Sequence, residues 1–169
     1  MSNVNAPHGV DLQFAWGGGL EVPLAGDWNG DGKDTPGLYN PVTHVWTLSN
    51  VNAAHGVDIK FAWGGGSDVP IVGDWNGDGK DTPGLYNRET HVWGLSDENA
   101  AHGVDYKFAW GGGDALPLVG DWNNDGKDTP GTFTGANRVF VLTNFNAASG
   151  VAAQFGWGPV GGYTVAGAF

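Results

Sequence analysis

Asp27, Asn29 and Asp31 set oxygen-bearing side chains at alternate positions, and Gly32 follows where a sharp backbone turn is needed. They lie in Gly26-Asp27-Trp28-Asn29-Gly30-Asp31-Gly32-Lys33-Asp34-Thr35-Pro36-Gly37. The stretch returns at Gly73–Gly84 and, with Asn124 in place of the middle glycine, at Gly120–Gly131, a spacing of 47 residues each time. A loop of this kind wraps oxygens around a hard cation, calcium above all. The same residues also make plain turns, because Asn, Asp and Gly supply positive φ and Asx-turns at hairpin tips. Repetition makes the motif the unit of the fold without choosing between the two.

Charge sharpens the question. Net charge is −11, and each loop carries three aspartates and one lysine, so the three loops hold −6 of it. Carboxylates so clustered repel one another unless something cationic sits among them. Seven basic residues in 169 weigh against binding a phosphate backbone, so nucleic acid is not an expected partner. No apolar run reaches membrane-spanning length, so membrane insertion is not expected. Met1-Ser2-Asn3 does not open a signal peptide; if the natural protein is secreted or held at a cell surface, its leader is not in this chain. Cysteine is absent, which removes disulfides and thiol chemistry together.

The elements that must carry the loops read as short strands. Aligned on the loops, residues 1–169 form a single repeat domain: repeats 8–54, 55–101 and 102–148, then a partial one, 149–169. The first two agree at roughly three-quarters of positions. No 3.6-residue apolar period is present, and Gly, Asn and Pro punctuate every few residues. In the first repeat, strands are predicted at Val10–Trp16, Val22–Trp28, Thr35–Asn40 and His44–Ser49, with a polar connection at Asn50–Ala54. The expected fold class is all-β, a β-propeller of 47-residue four-stranded blades. The glycine-rich strand before each loop suits the crowded axis, and Phe14, Trp16 and Trp46 suit the faces between blades. One blade cannot bury both its faces, so stacking is obligatory.

Asp27-Trp28-Asn29-Gly30-Asp31-Gly32, with an apolar-Gly strand before it and a Gly-apolar-Tyr strand after it, resembles the FG-GAP or integrin-α-like propeller repeat. The resemblance implies a seven-bladed propeller with calcium loops between the first two strands of some blades. It implies Ca2+ held by Asp27, Asn29, Asp31 and the Lys33 carbonyl, and likewise by Asp74, Asn76, Asp78 and Lys80, and by Asp121, Asn123, Asp125 and Lys127. The family's ninth-position ligand falls on Thr35, Thr82 and Thr129, with the carboxylate one place earlier at Asp34, Asp81 and Asp128. That departure leaves the closing ligand to either residue of each pair. In the partial repeat the first loop aspartate has become Ala168, so three sites are expected rather than four.

Catalysis finds no footing. The histidines recur at His8, His55 and His102 and at His44 and His91, with no ligand pair on one face and no nucleophile arrangement. Each reads as a hydrogen-bonding residue at a strand end, and no enzyme activity is expected. Trp16, Trp63 and Trp110 each precede a glycine-rich break, where an indole can stack on a sugar face with His55 or Asp58 nearby. Core packing is the competing use of the same rings. The expected function is a non-enzymatic, calcium-stabilised propeller module for adhesion or weak multivalent binding of glycans or a protein. The alternative is a purely structural, self-assembling piece of a propeller, natural or engineered.

Strand arithmetic favours self-association. One outer strand (Val10–Trp16), three blades and one inner strand (Tyr163–Ala168) make fourteen strands, three and a half blades' worth. Two copies hold the strand inventory of seven blades, although the leftover strands lack a middle pair. An open array exposes aromatic faces at both ends. The expected partner is therefore the chain itself, in a closed homo-oligomer, most simply a dimer.

Overall fold

The computed structural model describes residues 10–157, and the Tyr163–Ala168 strand expected from the sequence lies outside them. The described chain is all-β, twelve strands in three four-stranded antiparallel sheets with no helix. The first sheet orders β1 (Val22–Gly26), β2 (Thr35–Asn40), β3 (Val45–Leu48) and β4 (Ile59–Ala62). The second orders β5 (Val69–Gly73), β6 (Thr82–Tyr86), β7 (Val92–Leu95) and β8 (Tyr106–Ala109). The third orders β9 (Leu116–Gly120), β10 (Thr129–Thr134), β11 (Val139–Leu142) and β12 (Ala153–Gly156).

Local chemistry explains each connection. The aspartate loop joins the first two strands, in register from Val22 opposite Tyr39 to Gly26 opposite Thr35. At the next hairpin, Asn40 Oδ1 accepts the N–H groups of Val42 and Thr43, an Asx-turn. His44 then takes φ 56°, a left-handed conformation that ends the turn and starts β3 one residue later than the alternation predicts. Its ring meets the Tyr39 hydroxyl at 3.1 Å, so this histidine is a hydrogen-bonder at a strand end. His91 repeats the geometry, and Arg138 takes the place with φ 59° in the third sheet.

The sheets stand side by side, with β5 in contact with both β1 and β9. Their cores lie in the joints. Trp28, Tyr39, Trp46, Leu48, Phe61 and Trp63 of the first sheet cluster with Leu85 of the second. Trp75, Tyr86, Trp93, Leu95, Phe108 and Trp110 of the second cluster in the same way, with Val119 and Val141 of the third packed on them. Each indole removes about 200 Å² from water, worth about 5 kcal/mol gross at 25 cal/mol per Å². Trp46 and Trp93 also anchor their own sheets, donating Nε1–H to the carbonyls of Trp63 and Trp110.

One expected strand does not form. Residues 10–16 carry no strand, whereas their equivalents β4 and β8 pair with β3 and β7 of the sheet before them. No such sheet precedes residue 10 among the described residues, so the segment has no ladder to join. The Val22–Trp28 strand likewise stops at Gly26, because Asp27 already belongs to the loop.

Candidate functional site: the aspartate loops and the sheet joints

Within each loop the first aspartate is held by the backbone. Asp27 Oδ1 accepts N–H bonds from Gly30 and Asp31 at 2.8 and 3.1 Å, and Oδ2 accepts one from Gly32 at 2.6 Å. Gly30 and Gly32, at φ 77° and 82°, turn those amides inward. Asn29 Oδ1 accepts from Asp31 N–H, and its Nδ2 donates to Asp31 Oδ2. Asp74, Asn76 and Asp78 repeat the set; in the third loop Asp121 accepts from Asp125 and Gly126 N–H, and Asn123 Nδ2 donates to Asp125. Lys80 and Lys127 donate their N–H groups to Asp78 and Asp125 Oδ1.

Of the residues expected to close a calcium shell, all but the exposed Asp34 are engaged elsewhere. Thr35, Thr82 and Thr129 are buried; the hydroxyls of Thr35 and Thr82 donate to the carbonyls of Gly26 and Gly73, and that of Thr129 to Thr143 O at 2.7 Å. Asp81 leaves its own loop altogether: its Oδ2 accepts the N–H of Asp27 at 2.8 Å, and its N–H donates to the Asp27 carbonyl at 2.8 Å. Asp128 grips Asp74 identically, at 2.9 and 2.8 Å. Among the described residues, no three acidic or histidine side chains gather at metal-binding distance. In this arrangement the first aspartate of each loop is bonded to the loop's own amides, and the Asp81 and Asp128 carboxylates are turned to the loop of the neighbouring sheet.

The eighth loop position is therefore a clasp between sheets, and it does not work alone. Asn99 Nδ2 donates to the Trp28 carbonyl of the first sheet at 3.2 Å and to Asp81 O at 2.9 Å. Asn146 does the same with Trp75 O and Asp128 O, both at 3.0 Å. Trp63 Nε1 donates across the joint to Gly103 O at 3.1 Å. A Cβ on Gly30 or Gly77 would stand 3.1 Å from the Cγ of Lys80 or Lys127, so these glycines permit close approach of the next sheet. The Asn-Ala-Ala triplets at Asn52, Asn99 and Asn146 recur at the same 47-residue spacing. Sequence reasoning passed over them as polar connection, although that recurrence was the available signal.

Electrostatics mark the same place. Asp34, Asp81 and Asp128 line one groove of about 430 Å³ along β1, β5 and β9. Burial pushes the Asp81 carboxyl up to about 7; the Asp27 N–H opposes this, and the charges of Asp128, Asp34 and Asp74 reinforce it. Asp128 is raised mainly by burial, against the Asp74 N–H bond. Asp34, exposed at the end of the groove, is raised too, by partial desolvation and then by the Asp27 charge.

The indoles nominated for stacking divide by position. Trp63 and Trp110 are 6% and 8% exposed, their rings packed in the joints. Trp16 is half-buried, and His55 and Asp58 bond to each other at 3.1 Å on the surface. The Asn50 N–H and then His55 hold the Asp58 carboxyl below its usual range. At the far end, Phe155 and Trp157, the equivalents of Phe61 and Trp63, are 48% and 75% exposed. No protein-family model matches the chain, and no curated protein matches it in sequence.

Proposed function

We propose that the chain is a non-enzymatic structural module, a run of propeller-type blades that dock face to face and assemble with further copies into a closed ring, most simply a dimer. The observation that carries this reading is the joint. Both joints use the same residue positions with the same bonds: Asp81 on Asp27 and Asp128 on Asp74, Asn99 on Trp28 and Asn146 on Trp75. Two of the side chains nominated as ligands, Asp81 and Asp128, reach the loop of the neighbouring sheet. The resemblance of the loops to FG-GAP repeats supports the propeller geometry, since that family's repeats stack around an axis. Closure removes the exposed faces that an open array leaves. Light scattering at micromolar concentration should give a mass that is a multiple of the chain, and a folded monomer would refute the reading.

A second reading, weak multivalent binding of a glycan or protein, keeps one observation in its favour. A cleft of about 360 Å³ lies beside Trp63, lined also by Asp68, Asn87, Thr90 and Lys107. Polar groups beside an indole edge suit a sugar hydroxyl array. A glycan array should show signal that Lys107→Ala abolishes; a blank array removes this reading.

A further inference from the structure

The two ends of the array are halves of one joint. At the first sheet, Asp34 holds the clasp position but is exposed and grips no preceding loop among the described residues. Asn52 Nδ2 makes the bond to its own Asp34 carbonyl at 2.9 Å, but lacks the second, cross-sheet bond that Asn99 and Asn146 make. Gly56 occupies the position of Gly103, the residue whose carbonyl receives a tryptophan N–H across the joint. At the third sheet, the gripped residue Asp121 is exposed, whereas Asp27 and Asp74 are half-buried. Trp122 is half-exposed where Trp28 and Trp75 are 2% and 1% exposed. Trp157 extends from β12 as Trp63 does from β4, its N–H bonded to Arg138 O as that of Trp63 is to His44 O.

We infer that the outer face of the third sheet docks on the open face of the first sheet of a second copy, in the register of the internal joints. This rests on the self-assembly reading above and adds its residues. Asp34 accepts the partner's Asp121 N–H and donates its own N–H to that residue's carbonyl. Asn52 donates to the partner's Trp122 carbonyl, and the partner's Trp157 Nε1 donates to Gly56 O. Each half of the joint is drawn from a position that already makes this bond elsewhere in the chain.

Two features test the fit. Asn124 stands where Gly30 and Gly77 admit the following lysine, so the partner's Lys33 must swing aside from it, which a lysine chain does readily. Gly17 lies against Leu38 as Gly64 lies against Leu85. The strandless segment 10–20 thus occupies the ground that the partner's β12 and Trp157 must take, and docking exchanges one for the other.

Sedimentation of the full chain over a micromolar range should show tight association. The double variant Asp34→Ala/Asn52→Ala should weaken it at least tenfold, and so should Trp157→Ala, because each spoils one half of the joint. Mixed together, the two variants should associate again, since each brings the half that the other lacks; misfolded proteins could not rescue one another. If the parent associates while either variant associates equally well, or if the mixture stays apart, the register is wrong although self-assembly stands. A monomeric parent removes the self-assembly reading and this inference with it.

Discussion

Asp81 and Asp34 are the same residue in the same repeated loop, yet they live in different chemistry. Asp81 is half-buried with its carboxylate and N–H both bonded across a joint, while Asp34 is exposed with neither bond made. The loop sequences that carry them are identical from Gly26 to Gly37 and from Gly73 to Gly84. What differs is only whether a sheet stands in front. The contrast teaches that clasp strength here is a property of position in the array, because the bonds are made by backbone groups of a neighbour.

The sharpest way to break that comparison is in the aromatic layer. Trp75→Ala should lower unfolding stability by about 3–5 kcal/mol through lost transfer and a cavity in the second joint. In dilute solution Trp157→Ala should change it by less than about 0.5 kcal/mol. Equal losses in urea titrations would erase the distinction between interior and end. Next comes the clasp itself. Asp128→Ala should cost about 1–3 kcal/mol near neutral pH, because the Asp74 N–H is left without its acceptor. Asp34→Ala in the dilute chain should stay within about 0.5 kcal/mol of the parent; a large effect there would mean that the open end is already engaged.

A smaller effect is set by pH. The Asp81 pKa is about 7 in the folded chain against 3.8 for the free group, so the folded state binds the proton more tightly. Its contribution is therefore fully present below pH 4 and is lost as pH rises through about 7. Asp81→Asn keeps an oxygen for the Asp27 N–H and removes the titration. The variant should match the parent near pH 4 and exceed it increasingly as pH rises to 8; parallel stability profiles would count against a strained carboxylate in the joint. Smallest of all is calcium. Because the loops close on their own amides, the melting temperature in millimolar calcium should lie within about 1 °C of that in excess chelator. A shift of several degrees would show that the loops rearrange around the ion.

Much of this architecture was legible in advance. Alternation at His44–Ser49 located β3, because period-two patterning reflects the two faces of a sheet, and the small apolar run at Val22–Trp28 located β1. Trp46 was expected at a face between blades, and it is fully buried in the cluster that joins the first sheet to Leu85 of the second. Two things were hidden. Val10–Trp16 has the same pattern as β4, but a pattern only proposes a strand and a neighbour must complete it. The alternating oxygens of Asp27, Asn29 and Asp31 serve a cation or the loop's own N–H groups equally well, and the sequence has no mark for the direction in which Asp81 points. Asn99 was missed because a polar residue in a turn rarely reaches back 71 positions.

One last consequence lies in β4. The first sheet is completed by a strand that belongs, in sequence, to the second repeat, and β8 completes the second sheet from the third. Genetic unit and folded unit are thus out of phase by one strand. A tandem duplication of 47 residues, begun at any point, leaves every strand pairing and every clasp in place and simply lengthens the row. An excised single repeat, by contrast, carries the edge of one sheet and the body of another, and completes neither. Such a chain gains and loses sheets by counting, and its copy number can drift without a new fold having to be invented.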